Sequence, residues 1–143
     1  MYEAILLPTD GSARSTDAVE HAVRVAGEDA VVHALYVVDQ RRYRAADSDT
    51  TEEVRRSLEL EADRALDDAR TRLEEHGLAV ETVQRDGIPH REIVDYAAES
   101  DVEVVVMGTH GRTGRDRVAN LGSVTQRVVE SVELPVLVVD MSD

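Results

Sequence analysis

Four glycines, a serine and four arginines fall within twenty residues, Gly108 to Arg127, and this is the stretch best suited to chemistry. It reads Gly108-Thr109-His110-Gly111-Arg112-Thr113-Gly114, an interval, then Gly122-Ser123-Val124-Thr125. Glycine removes the side chain that keeps a ligand away from backbone N–H groups. Ser123 with Gln126 three residues later fits a capping box, which predicts a helix starting there. The free N–H groups of a helix start suit phosphate. Arg112, Arg115, Arg117 and Arg127 outnumber the single acid Asp116, giving a local charge of +3 in a chain of net −14. The remaining surface repels a polyphosphate, so a positive island stands out as a receiving point. The bland alternative is a glycine-punctuated surface connection whose arginines pair with nearby acids. His110 is the loop's histidine, either a phosphate donor or slow general base, or a residue that only shapes the backbone.

These residues need elements to hold them. Val104 to Met107 is short, β-branched and stopped by glycine, which predicts a strand buried on both faces with the loop leaving its C-terminal end. Ala4 to Pro8 predicts a first strand ending in Pro8-Thr9-Asp10, where Asp10 either reaches the sheet edge or caps the next helix. Apolar spacing predicts a helix from Ser12 to Ala26 stopped by Gly27, with His21 partly buried beside its stripe. Ala30 to Val38 returns as a strand ending at Asp39, with Val37 a core valine on the residue pattern alone. Residues 39 to 53 lack periodicity and read as a surface excursion able to form a flap. A long amphipathic helix from Glu53 to Gly77 follows, then a strand from Leu78 to Gln84. Pro89 sits near the first turn of a helix carrying Ile93, Val94, Tyr96 and Ala97, with His90 expected to face solvent. Val124, Val128, Val129 and Val132 stripe the last helix, and Leu134 to Val139 is an apolar last strand.

Strand and helix alternate throughout, so the expected fold is α/β: an open five-stranded parallel sheet with helices on both faces and strand order 3-2-1-4-5. That order reverses between strands 1 and 4, so Asp10 and the glycine loop should flank one crevice. The apolar last strand would lie at a sheet edge, where proline is tolerated at its start. Such an edge invites pairing with a second copy, and a two-fold homodimer through residues 135–139 is expected.

Gly108-x2-Gly111 followed by Gly122-Ser123-Val124 resembles the nucleotide loop of the universal stress protein family, in its ATP-binding branch. The likeness extends to Pro8-Thr9-Asp10-Gly11-Ser12, Val38-Asp39, Gly87-Ile88-Pro89 and Pro135 to Val139. It implies a Rossmann-like fold of the adenine nucleotide alpha hydrolase-like type, binding ATP with or without Mg2+. By the same likeness Pro8, Thr9 and Asp10 line the adenosine, Val37 walls the adenine ring, and the backbone from Gly108 to Gly114 and at Ser123, Val124 and Thr125 cradles the phosphates. Arg112 and Arg115 supply charge. The family usually has nine residues between the second and third glycines, whereas ten separate Gly111 from Gly122 here.

The whole chain, residues 1–143, suits one domain. It has no cysteine, which removes disulfides and thiol chemistry and fits a cytoplasmic setting. No apolar run approaches the roughly 18 residues of a membrane span. Thirty carboxylates oppose sixteen basic residues, all arginine, which argues against nucleic-acid binding. With lysine, Phe and Trp absent, that balance suggests a salt-adapted protein. Without lysine, neither a receiver domain nor a Walker-type hydrolase is available. Three readings stand: a nucleotide-dependent stress or signalling module with at most slow hydrolysis; a related dimer acting through protein contacts without nucleotide, which the ten-residue interval favours; and a genuine ATP-hydrolysing enzyme.

Overall fold

The computed structural model describes residues 1–11, 15–44, 49–109 and 121–140. Its elements in chain order are β1 (Tyr2–Pro8), α1 (Ser15–Val25), β2 (Ala26–Asp39), α2 (Gln40–Arg44), α3 (Thr51–Glu74), β3 (Ala79–Gly87), α4 (Pro89–Glu99), β4 (Val104–Gly108), α5 (Ser123–Ser131) and β5 (Val136–Val139). The five strands form one sheet in the order β3-β2-β1-β4-β5, with every pair parallel. The expected fold and strand order are therefore present.

Side-chain alternation explains how the sheet is covered on both faces. Ile5 and Leu7 point with Val32, Val104 and Val106 toward α1, burying Ala18, Val19 and Ala22. Further along the same face, Ala34, Tyr36 and Val38 receive Leu58, Ala62, Leu66 and Ala69 of α3. Leu6, Leu35, Val105 and Met107 take the opposite face, under Ile93 and Ala97 of α4 and Val128 of α5. Small alanines on α1 and α3 let their helices lie close to the strands. Central β4 is buried from Val104 to Met107, as an all-apolar strand must be when both faces are covered.

Several boundaries differ from the sequence reading, each for a local reason. Gly27 does not stop α1. The helix ends at Val25, and Gly27 lies inside β2, where an added Cβ would fall 2.7 Å from an oxygen of Glu3. The β1–β2 register slips here: Tyr2 pairs with Ala26 but Ala4 with Val31, so β2 carries extra residues at its start. β3 continues past Gln84 because Arg85, Asp86 and Gly87 pair with Val37, Val38 and Asp39. The excursion after β2 is not wholly irregular. An Asp39 oxygen accepts the Arg41 N–H at 3.0 Å, turning the chain into α2, and Tyr43 is buried.

Candidate functional site

The C-terminal edge of the sheet gathers the ends of β1, β2, β3 and β4. Leu6 stands opposite Val105, and continuing that register brings Thr9 level with Gly108. At the end of β1 the Thr9 N–H donates to the Leu35 carbonyl at 2.9 Å, which extends the sheet by one bond. The Thr9 hydroxyl then accepts the Gly11 N–H at 3.3 Å, closing a tight turn around half-buried Asp10. Gly11 has φ +79°, a left-handed conformation that favours glycine, and the site of its missing Cβ lies 3.3 Å from the Ala65 Cβ on α3. The turn is thus seated against α3 at the C-terminal end of β1, and Asp10 lies within it.

At the end of the adjacent strand, β4, the two ends of the glycine loop are tied down. Thr109 donates its N–H to the Val139 carbonyl at 2.9 Å, and its own carbonyl accepts the Gly122 N–H at 2.6 Å. Thr125, only 3% exposed, donates its hydroxyl to the Gly108 carbonyl at 2.7 Å. These three bonds tie the end of β4 to β5 and to the start of α5. His110, Gly111, Arg112, Thr113 and Gly114, together with Arg115 and Arg117, lie outside the described residues.

The capping box is not formed. Gly122, with φ −62° and ψ 158°, is the N-cap, and Ser123 is the first helical residue. Gln126 instead donates its side-chain amide to Glu130 at 3.4 Å. The reason is positional: the Gly122 N–H is already held by Thr109, which fixes the chain one residue earlier. The ladder of α5 begins with the Gln126 N–H on the Gly122 carbonyl. The N–H groups of Ser123, Val124 and Thr125 therefore precede it, as at any helix start, and carry the positive end of the helix dipole. Val124 packs into the core beneath α4 and α5, and so does Val37, which is half-buried on that face of β2.

Charged groups missed at the sequence level frame the rest of the edge. Asp39 accepts the Arg41 guanidinium at 2.9 and 2.7 Å, and this hydrogen bonding holds its carboxyl below the ordinary range. Tyr43 donates its hydroxyl to Asp86 at 2.6 Å, and that bond pushes the phenol upward. Asp86 also faces Arg55 at 3.6 Å, whose guanidinium lies over the Tyr43 ring. His90, expected in solvent, is half-buried at the second position of α4. Desolvation first, then the fields of Arg127, Arg91 and Arg41, push its imidazole below the ordinary histidine range. The Asp39-x-Arg41 spacing and the Gly87-Ile88-Pro89 start of α4 were the available signals for both sites. Among the described residues no group of three or more His, Asp or Glu is placed to hold a metal, and no helix is long and apolar enough to cross a membrane.

Comparison with known proteins agrees with this architecture. Residues 1–140 match the model of the universal stress protein family. The chain is 39% identical over 141 residues to universal stress protein MJ0531 of Methanocaldococcus jannaschii, covering 97% of this chain and 82% of that one. The solved structure of MJ0577, from the same organism, superposes with a TM-score of 0.91 at 33% identity, covering 100% of this chain and 99% of that one. A universal stress protein from Archaeoglobus fulgidus, solved in complex with dAMP, has a TM-score of 0.69 at 22% identity over 96% of this chain and 97% of its own. The chain belongs to the universal stress protein family.

Proposed function

We propose that this chain binds an adenine nucleotide, ATP with or without Mg2+, in the crevice between the ends of β1 and β4, and works as a homodimeric stress or signalling module in the cytoplasm. One observation carries the reading. The Thr109–Gly122 bond delivers the first-turn N–H groups of α5 to the same edge that Thr9 reaches on the adjacent strand. A phosphate would meet the helix start, and an adenosine would meet the turn at Pro8, Thr9 and Asp10 with Val37 as an apolar wall. A relative solved with dAMP supports the ligand class. With no cluster of acids placed for a metal among the described residues, Mg2+ would be held chiefly by the phosphates. Turnover is expected to be slow and to respond little to Asp10→Asn or His110→Ala. The homodimer is proposed through residues 135–139, because β5 is the outer strand of the sheet.

The second reading, a dimer that acts through protein contacts without nucleotide, keeps the ten-residue interval as its support. The test is to purify the protein in molar KCl, denature it and assay the supernatant for adenine nucleotides by chromatography, beside a Gly111→Val, Gly122→Val double variant. Nucleotide near one per chain in the wild type and none in the folded variant is expected. No nucleotide, and no binding of added ATP, would replace this reading with the second. Light scattering in the same buffer tests the dimer.

A further inference from the structure

Helix α2 is fastened at both ends. At its start Arg41 closes on Asp39 through three N–H donors, at 3.0, 2.9 and 2.7 Å. Near its end the Tyr43 hydroxyl donates to Asp86 at 2.6 Å. Arg55 of α3 stands over the Tyr43 ring, 5.6 Å from its centre, and 3.6 Å from the same Asp86 carboxylate. Asp86 lies opposite Val38 in the β2–β3 ladder, so α2, β3 and α3 are pinned together where β2 ends. The Tyr43 ring, 8% exposed, belongs to the buried cluster of Tyr36, Val38, Leu58 and Ala62, against which Ala65 packs. The Thr9–Gly11 turn rests on the same cluster: a Cβ on Gly11 would lie 3.3 Å from the Ala65 Cβ and 3.7 Å from the Tyr36 ring. Gly11 has no side chain to turn aside, so a shift of the cluster passes directly to the turn.

Burial of the ring needs no hydroxyl, since a phenylalanine would fill the same volume. The hydroxyl adds direction, because a hydrogen bond is angular where apolar contact is not. It fixes how the ring sits in the cluster that supports the turn. We infer that Tyr43, oriented by Asp86 and Arg55, is a positioning residue for the nucleotide site: α2 is a strap whose seating sets the pose of the Thr9–Gly11 turn and, through it, the affinity for adenosine. The inference rests on the nucleotide reading for its ligand, while the link from Tyr43 to the turn is measurable in the ligand-free chain. The loop ends on β4 and α5 are held by separate bonds, from Thr109 and Thr125. Loosening the strap therefore weakens AMP and ATP by the same factor. Coupling is reciprocal, so a bound nucleotide in turn holds the strap down.

The experiment measures AMP and ATP affinity by calorimetry and the Gly11 amide by 1H–15N NMR, in the full chain and in Tyr43→Phe, Asp86→Ala, their double variant and Asp86→Asn. Val102→Ala, a core substitution just before the opposite end of β4, reports what lost stability alone does. Tyr43→Phe and Asp86→Ala should each weaken both nucleotides about fivefold or more and move the Gly11 amide. The double variant should lose little beyond the larger single effect, since both act through one bond. Asp86→Asn keeps an acceptor for the phenol and should stay closer to the wild type. Val102→Ala should bind as the wild type does, and ATP should slow amide exchange in α2. Unchanged affinities in Tyr43→Phe and Asp86→Ala overturn the strap and leave the nucleotide reading standing. An equal loss in Val102→Ala overturns it as well, because the effect is then one of general stability. Binding of neither nucleotide by the wild type overturns the nucleotide reading. A Gly11 amide that still moves in Tyr43→Phe then keeps Tyr43 as the residue that poses the turn, and one that stays in place overturns that too.

Discussion

The Thr125 hydroxyl donates to the Gly108 carbonyl across 2.7 Å, joining the first turn of α5 to the last residue of β4. Thr125→Val keeps the shape and leaves that carbonyl without its side-chain donor at a position 3% exposed. The expected cost is about 1–3 kcal/mol, read as a lower urea midpoint with an unchanged slope. Thr125→Ser keeps the donor and loses a methyl, for about 1 kcal/mol. Equal stability of Thr125→Val and wild type would show that the bond contributes nothing.

Gly11→Ala is expected to destabilise the protein by about 1–2 kcal/mol through its left-handed φ of +79°. The new Cβ also falls 3.3 Å from that of Ala65. Ala65→Gly removes this crowding without changing the dihedral angle. Denaturant unfolding of the double variant separates the two effects: Ala65→Gly should cost less in the Gly11→Ala background than in wild type. Strict additivity would assign the whole loss to the backbone.

Tyr43 donates to Asp86 at 2.6 Å while 8% exposed, so Tyr43→Phe should cost about 1.5 kcal/mol. The same bond sets an alkaline limit. An unfolded tyrosine ionises near its ordinary value of 10.0, whereas folded Tyr43 keeps its proton to higher pH. The folded state then binds more protons, so stability falls as pH rises above 10. Thermal unfolding between pH 9 and 11.5 should show a shallower decline in Tyr43→Phe, with the remainder due to Tyr96, whose phenol burial also pushes upward. Parallel declines would remove Tyr43 from the account.

Asp39 has the opposite sign. Its carboxyl is held below the ordinary 3.8 chiefly by the Arg41 side chain. Its contribution is present above that value and is lost as pH falls through the lower folded value. In Arg41→Gln, the Asp39 carboxyl followed by 13C NMR should titrate higher than in the wild type, and α2 should loosen at neutral pH. An unmoved Asp39 titration would mean that Arg41 is a bystander.

The fold was legible because its signals are redundant. Val104 to Met107 can only be a central strand, and the β-α alternation leaves one handed way to build a parallel sheet. Tertiary pairing was harder to read. Gly27 looks like a helix stop until Tyr2 is seen opposite Ala26, and Arg85-Asp86 looks like a loop until the ladder with Val37 and Val38 is seen. At the site, Gly108 and Gly122 were recognisable as the loop's ends. Ser123 was given the cap because its side chain suits it, yet a backbone bond to Thr109 had already fixed Gly122 there. His90 was read from its neighbours in sequence, whereas its environment is set first by burial and then by charges that include Arg127 and Arg41 on other helices. Residues His110 to Gly114 fall outside the described residues, so their assignment remains part of the proposal.

The Thr109–Gly122 bond also bears on the extra residue between Gly111 and Gly122. It staples the two ends of a twelve-residue interval, 110–121, so the position of α5 is decided at the staple and not by counting along the chain. Lengthening a closed interval of that size by one residue costs only about 0.1 kcal/mol in chain entropy. Loop length and helix placement are thereby decoupled, and the segment between them can be retuned by insertion without shifting the helix start.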